Sequence, residues 1–446
     1  MNRLLTTLVV LAVLAIGLYL VLLAPVKRTY TFSSTAAVTS VPEPPGAAVF
    51  DLAYRGLDTP DDPLSYRSYW GFGGPDDDKD SFVQAVKKQV NECTPVYNGS
   101  LPKAQWAVVE LKDKKPIAFY FDVNADGKIS DNEKFLPTAP SGSNFGYPYA
   151  FLTSDLTIRT ENQQEVPFRV MLVGSAYGGD EISYMWSPCC VLEGQATLAG
   201  EPMKLFLYAD GFSGSFTQFG GCAIALVPAG QKLEGYVSRS TLSSLILYQG
   251  AFYRLKLQGT HAKDSAVRVL VEKDTTPTGK MALDLTGKET LKSRLMEARL
   301  DGAKDSTIHL YTVNAEPMLP VGRYKLSSGE VSYGIENNDQ WRASFNEGPQ
   351  FDVKAAETSR MDLGKPVLSL KAIDEKDRYT DNAKEQSTYA KGTSIYLTLQ
   401  IKGKAGEIYT EFARKDAGSN NAPVKPSVTI CDSDGKQVAA ADMEYG

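Results

Sequence analysis

Apolar and polar positions alternate along most of this chain, in short runs separated by Gly, Pro, Asn and Asp. Period-two patterning of this kind predicts β-strands joined by tight turns. Trp106–Leu111 and Pro116–Phe121, on either side of the polar stretch Lys112–Lys115, predict a hairpin. Leu192–Leu198 and Met203–Tyr208, joined through Ala199–Pro202, predict a second. Further strands are expected at Leu245–Tyr248, Phe252–Leu257, Val267–Val271, Ile308–Tyr311, Gly322–Leu326 and Trp341–Phe345. A last group comprises Val367–Leu370, Ser394–Ile401, Glu407–Thr410 and Val428–Cys431, with Asp432–Gly435 as a hairpin turn. Helical spacing is confined to Ser81–Val90, where Phe82, Val83, Val86 and Val90 recur three to four apart, to a turn after Asp131, and to Glu289–Met296. The expected class is mainly β, with residues after Ser265 forming one or two antiparallel β-sandwiches.

The N-terminus breaks this pattern. Leu4 to Val26 is apolar apart from Thr6 and Thr7, with Arg3 before it and Lys27 and Arg28 after it. That run is long enough to cross a bilayer as a helix, so 1–28 is expected to be a transmembrane anchor, with a cleaved signal segment as the alternative. Residues 29–46, rich in Thr, Ser, Ala, Val and Pro, form an extended linker. The folded part is expected as a β-rich domain over 47–264 and β-sandwiches over 265–361 and 362–446. A large polar region behind an N-terminal anchor is normally exported. The expected location is therefore membrane-anchored and extracytoplasmic (periplasm or cell surface), or secreted if the segment is cleaved.

Composition narrows the function classes. The 23 tyrosines, 18 phenylalanines, 37 glycines and 24 prolines suit strands and turns. A net charge of −6 argues against nucleic acid as a partner. Two histidines, His261 and His309, leave little for histidine-based catalysis or zinc. The five cysteines are odd in number, and Cys189 and Cys190 are adjacent. Two readings stay open: one or two disulfides among Cys93, Cys189 or Cys190 and Cys222, or five thiols. No nucleophile elbow, zinc-protease motif or phosphate-binding loop occurs in the sequence, so no catalytic constellation is legible. Asp76, Asp77 and Asp78 read as a solvated acidic turn.

One stretch carries a specific chemistry. Asp122, Asn124 and Asp126 supply hard oxygens at the first, third and fifth positions of a twelve-residue loop. Gly127 takes the sixth position, where the chain must turn sharply, and Lys128 the seventh, which contributes a backbone carbonyl. Ile129 is the apolar anchor at the eighth, Ser130 stands at the ninth, and Glu133 closes the loop at the twelfth. This resembles an EF-hand calcium loop at each position that matters. The resemblance implies Ca²⁺ held by Asp122, Asn124, Asp126, Lys128, Ser130 and Glu133. The flanks differ from those of a sensor, since the loop follows the strand Pro116–Phe121, and Pro137 and Pro140 limit any helix after it.

The run Phe119–Ser130, with the β pattern after it, resembles uncharacterised bacterial cell-envelope proteins that set one EF-hand-type loop among β-rich segments. That resemblance implies no known reaction; the expected role is structural or ligand-binding, with an envelope protein or a glycan as partner. The alternative is an exported hydrolase acting on glycans, with structural calcium; its paired carboxylates are recognised by geometry and not by sequence. Leu319–Tyr324 resembles the Pro-x-Gly-x-Tyr strand entry of prealbumin-like or carboxypeptidase-regulatory-like sandwiches.

The second hairpin leads into an echo of this loop. Aligned on the strand ends, Ala209 falls at Asp122, Gly211 at Asn124, Ser213 at Asp126, Gly214 at Gly127, Phe216 at Ile129 and Gly220 at Glu133. The turn glycine and the apolar anchor are kept and the carboxylates are not, so this loop is expected to bind calcium poorly.

Overall fold

A computed structural model describes residues 46–442 except 59–61, 63, 65–69, 72–80, 99–104, 123–126, 139–148, 160–164, 177–181, 210–213, 234–238, 260, 262–265, 287–292, 303–306, 314–316, 334–339, 365–366, 375–394, 416–420, 424–426 and 432–433. The apolar run Leu4–Val26, the linker up to residue 45, the acidic turn at Asp76–Asp78, the loop positions Asn124 and Asp126, and Asp432 of the expected hairpin turn lie outside the described residues. The protein is mainly β, and its chain divides into two compact units.

The first unit comprises Gly56–Cys190 and Thr260–Ala266 among the described residues. One of its sheets runs in the order Cys93–Asn98, Gln105–Lys112, Lys115–Phe121, Lys134–Phe135, all antiparallel. The turn between the second and third strands has Asp113 and Lys114 at φ 52° and 62°, the left-handed pair a two-residue hairpin demands. Alternation then sorts the faces. Val108, Ala118 and Tyr120 form a core with the helix Ser81–Lys87, which contributes Phe82, Val83 and Val86. On the other parity Phe119 stacks with Phe121 and meets Phe135 and Phe151 at ring-centroid distances near 6 Å. A second sheet orders Trp70–Gly71, Ile182–Pro188, Val170–Ala176, Tyr149–Leu152.

The helix ends at Lys87, and Val90 N–H donating to Val86 carbonyl carries the turn to the expected limit. The turn after Asp131 is a single 3-10 turn, Asp131–Glu133, after which the chain returns as a strand.

The second unit comprises 46–55, Val191–Gly259 and 267–442 among the described residues. Its eight-stranded sheet places Ala48–Gly56 between Cys190–Leu198 and Val267–Lys273. Its nine-stranded sheet takes Ser293–Gly302, Gly322–Tyr333 and Gln340–Asn346 from one side of residue 361, and Val367–Asp374, Ile395–Lys402 and Ile408–Lys415 from the other. A three-stranded sheet, Met318–Pro320, Thr278–Thr286, Thr358–Gly364, supplies Met281, Leu319, Met361 and Leu363 to a core shared with Tyr324, Leu326, Phe345 and Tyr409 of the nine-stranded sheet. The chain passes between these sheets at Val321. There Tyr324 is buried and its hydroxyl donates to Pro320 carbonyl at 2.9 Å, and burial pushes its pKa up to about 12.

Three expectations change. Glu289–Met296 does not end in a helix, because Ser293–Gly302 is a strand hydrogen-bonded on both sides, to Thr307–Val313 and Gly322–Tyr333. Its Arg, Leu, Met, Glu and Ala favour helix intrinsically, and pairing on two edges overrides that preference. Antiparallel pairs dominate after Ser265, but Thr278–Thr286 runs parallel to Thr358–Gly364. All five cysteines are free thiols, so the disulfide alternative falls. Cys189 is fully buried, and desolvation raises its pKa, which leaves an inert thiol.

Candidate metal centre

The loop from Asp122 to Glu133 is closed at its base by strand pairing. Phe119 pairs with Phe135 and Tyr120 with Lys134, so the residues that leave and rejoin the ladder are Phe121 and Glu133. This is a strand–loop–strand frame, in which the base cannot splay as a helix pair does. Tyr120 adds a polar clasp beside it: its hydroxyl donates to Glu110 Oε2 at 2.9 Å, and Lys134 Nζ reaches the same oxygen at 3.2 Å while sitting 5.0 Å from the Tyr120 ring centre.

Within the frame the two end carboxylates are buried. Asp122 is 6% exposed and Glu133 1%. Each is oriented by a backbone N–H of the loop itself. Gly127 N–H donates to Asp122 Oδ2 at 3.1 Å, and Ser130 N–H donates to Glu133 Oε2 at 2.8 Å. The second bond belongs to a capping box, in which Ser130 is the N-cap and Glu133 the third residue of the turn. Gly127 has φ 72°, a conformation that side chains beyond glycine strongly disfavour. Ile129 is half-buried against the helix core of Phe82, Val83, Val86, Val108, Ala118 and Tyr120. Lys128 is exposed and Ser130 Oγ donates to Asn132 Oδ1 at 2.8 Å.

The donor set suits a hard divalent cation. Two carboxylates taken from water cost several kcal/mol each unless a positive charge or strong donors accompany them. Calcium accepts carboxylate and carbonyl oxygens in flexible geometry, and the end positions of this loop present such oxygens. Asn124 and Asp126 lie outside the described residues. Among the described residues, no group of three His, Cys, Asp or Glu side chains is gathered for a metal, and no helix is long and apolar enough to cross a membrane.

The echo loop is also closed by strand pairing, and it has no carboxylate at the positions aligned with Asp122, Asp126 and Glu133. Its hairpin also turns on two left-handed residues, Ala199 and Gly200 at φ 54° and 87°. Its strand Glu201–Tyr208 pairs with Ala223–Pro228, which follows the loop. Gly214 has φ 70°, within two degrees of Gly127, and Phe216 is fully buried. Ala209, at the position of Asp122, is buried, and Gly220, at the position of Glu133, is exposed. Cys222 Sγ lies 3.3 Å from Ser215 carbonyl, and the Arg239 guanidinium stacks 4.2 Å over the Tyr208 ring.

Sequence reasoning missed two features of the first unit. His261 is buried with Nε2 3.2 Å from Pro167 carbonyl; a carbonyl only accepts, so Nε2 carries the hydrogen. Desolvation lowers the pKa of His261 to about 4. Arg169 donates through Nε to Asp155 at 2.8 Å and through Nη1 to Leu57 carbonyl and Asp58 at 3.0 Å, tying three distant stretches of that unit. No protein-family model, curated protein or solved structure matches this chain.

Proposed function

We propose that Asp122–Glu133 is a structural calcium site that locks the hairpin sheet of the first unit. In this reading Asp122, Asn124, Asp126, Ser130 and Glu133 coordinate through side-chain oxygens and Lys128 through its carbonyl. The protein is then a membrane-anchored, extracytoplasmic protein with a structural or ligand-binding role, its second unit built of β-sandwich layers. The observation that carries the reading is the pair of buried carboxylates, Asp122 and Glu133, held by loop N–H groups at the two ends of a strand-closed loop around a left-handed glycine.

A site of this kind, a strand-flanked loop, suits an affinity on the order of 10⁻⁵ to 10⁻³ M, from the weak end of sensors to extracellular modules. At calcium a hundredfold above the dissociation constant, linkage adds about 2.7 kcal/mol to folding stability. Calorimetric titration of the full chain with calcium chloride, paired with thermal melting in calcium and in chelator, tests it. One-site binding and a higher melting temperature in calcium are expected. No heat of binding at millimolar calcium, with equal melting temperatures, removes the proposal.

A further inference from the structure

We infer that occupancy of this loop controls the docking of the helix Ser81–Lys87, a coupling that rests on the calcium reading above. The helix is too short to persist on its own, since seven residues barely exceed the costly nucleus of helix formation. It is held by packing, and part of its seat is the loop. Ile129 joins Phe82, Val83 and Val86 in one apolar cluster. Gly127 lies so close to the helix start that a Cβ there would overlap Ser81 Oγ.

Gly127 therefore faces two ways. Its N–H donates to the Asp122 carboxylate, and its Cα carries the first residue of the helix against it. Ile129 faces two ways as well, because Ser130 next to it donates its N–H to Glu133. Any opening of the loop that separates Asp122 from Gly127, or Glu133 from Ser130, withdraws both helix contacts together. Without a cation the buried Asp122 and Glu133 carboxylates lack a metal counter-charge, and with one that charge is offset. The helix lies some forty residues upstream of the loop, so this is not the flanking-helix movement of a paired EF-hand; it is a latch in which a sequence-distant helix is clamped when the loop is filled.

Amide hydrogen exchange on the full chain, read by mass spectrometry in calcium chloride and in chelator with magnesium chloride as a control, tests the coupling. The reporters are Lys88, Gln89 and Val90, whose N–H groups bond Gln84 and Val86 carbonyls. Their exchange is expected to slow at least tenfold in calcium and not in magnesium. Val83→Ala, on the helix side of the cluster and outside the loop, is expected to retain calorimetric calcium binding and lose most of that protection. Calcium binding by the unaltered chain with unchanged exchange at 88–90 overturns the coupling and leaves the site standing. Absence of binding with unchanged exchange overturns both.

Discussion

The loops at 122–133 and 209–220 solve one geometric problem with two kinds of chemistry. Both follow the second strand of a hairpin, both hold a glycine near φ 70° at the sixth position, and both bury or half-bury an apolar residue two positions later. They differ in what fills the centre. The first places Asp122 and Glu133 at its buried ends, and the second places Ala209 and the exposed Gly220 there. The shared parts are those that shape the backbone, and the differing parts are those that meet a cation. A loop of this backbone shape can thus do without those ligands where an apolar side chain is buried in their stead. Phe216, fully buried where Ile129 is half-buried, is that replacement.

The sharpest way to break the comparison is to put a charge where the second loop has none. Ala209→Asp buries a carboxylate in an apolar setting and is expected to cost about 3–5 kcal/mol, the penalty of an uncompensated buried charge. Melting of that variant should not recover in calcium; full recovery would show that the second loop is a latent site.

Acid should separate the two units next. His261 belongs to the first unit and has its pKa lowered to about 4 from the ordinary 6.5. Between those values the unfolded chain binds the proton and the folded one does not. Its contribution is therefore intact above pH 6.5 and is lost as pH falls to 4, by about 3 kcal/mol in all. Urea melts of the full chain at a series of pH values, with His261→Gln beside them, measure this. The glutamine keeps a donor for Pro167 carbonyl and is expected to flatten the slope between pH 6.5 and 4.

Glu133→Gln addresses the ligands directly. It keeps an acceptor for Ser130 N–H and removes the charge, so stability in chelator should stay within about 1 kcal/mol, a typical hydrogen-bond increment. The gain in calcium, about 2.7 kcal/mol at saturation, should vanish. An undiminished calcium-dependent shift would move the metal away from this residue.

Arg239→Gln is the smallest test, and it concerns the second loop alone. Loss of the guanidinium over Tyr208 is expected to lower stability by about 1–2 kcal/mol, equally in calcium and in chelator. A calcium-dependent difference would tie the two loops together.

Much of this was legible in the sequence, and the reason is local. Each expected strand from Leu245 to Cys431 falls within an observed strand or overlaps one, because alternation and turn residues act over a few positions. Gly127 and Gly214 were identifiable for the same reason, since their left-handed backbone is a property of one residue in one turn. Non-local pairing was not legible. Ser293–Gly302 carries helix-favouring side chains and is a strand because of neighbours on both edges. Thr278–Thr286 and Thr358–Gly364 pair in parallel across more than seventy residues, and nothing in either stretch names the other. Ser81 against Gly127 is a contact of the same kind. The burial of Asp122 and Glu133 was likewise beyond the pattern, which specifies their spacing and not what covers them.

The position of Ala48–Gly56 in the eight-stranded sheet governs the order in which the polypeptide can fold as it is made. This strand is made well before its two neighbours, Cys190–Leu198 and Val267–Lys273, which come more than a hundred and two hundred residues later. Its ladder therefore closes on one side only after residue 198 is made and on the other only after residue 273. The segment Gly56–Cys190 has most of its own partners within itself and can collapse meanwhile. The early strand waits, with Phe50 and Leu52 uncovered, until both partners arrive. High-contact-order pairing of this kind is slow and leaves a sticky edge on display, so wrong association of this sheet is expected mainly before residue 273 is made.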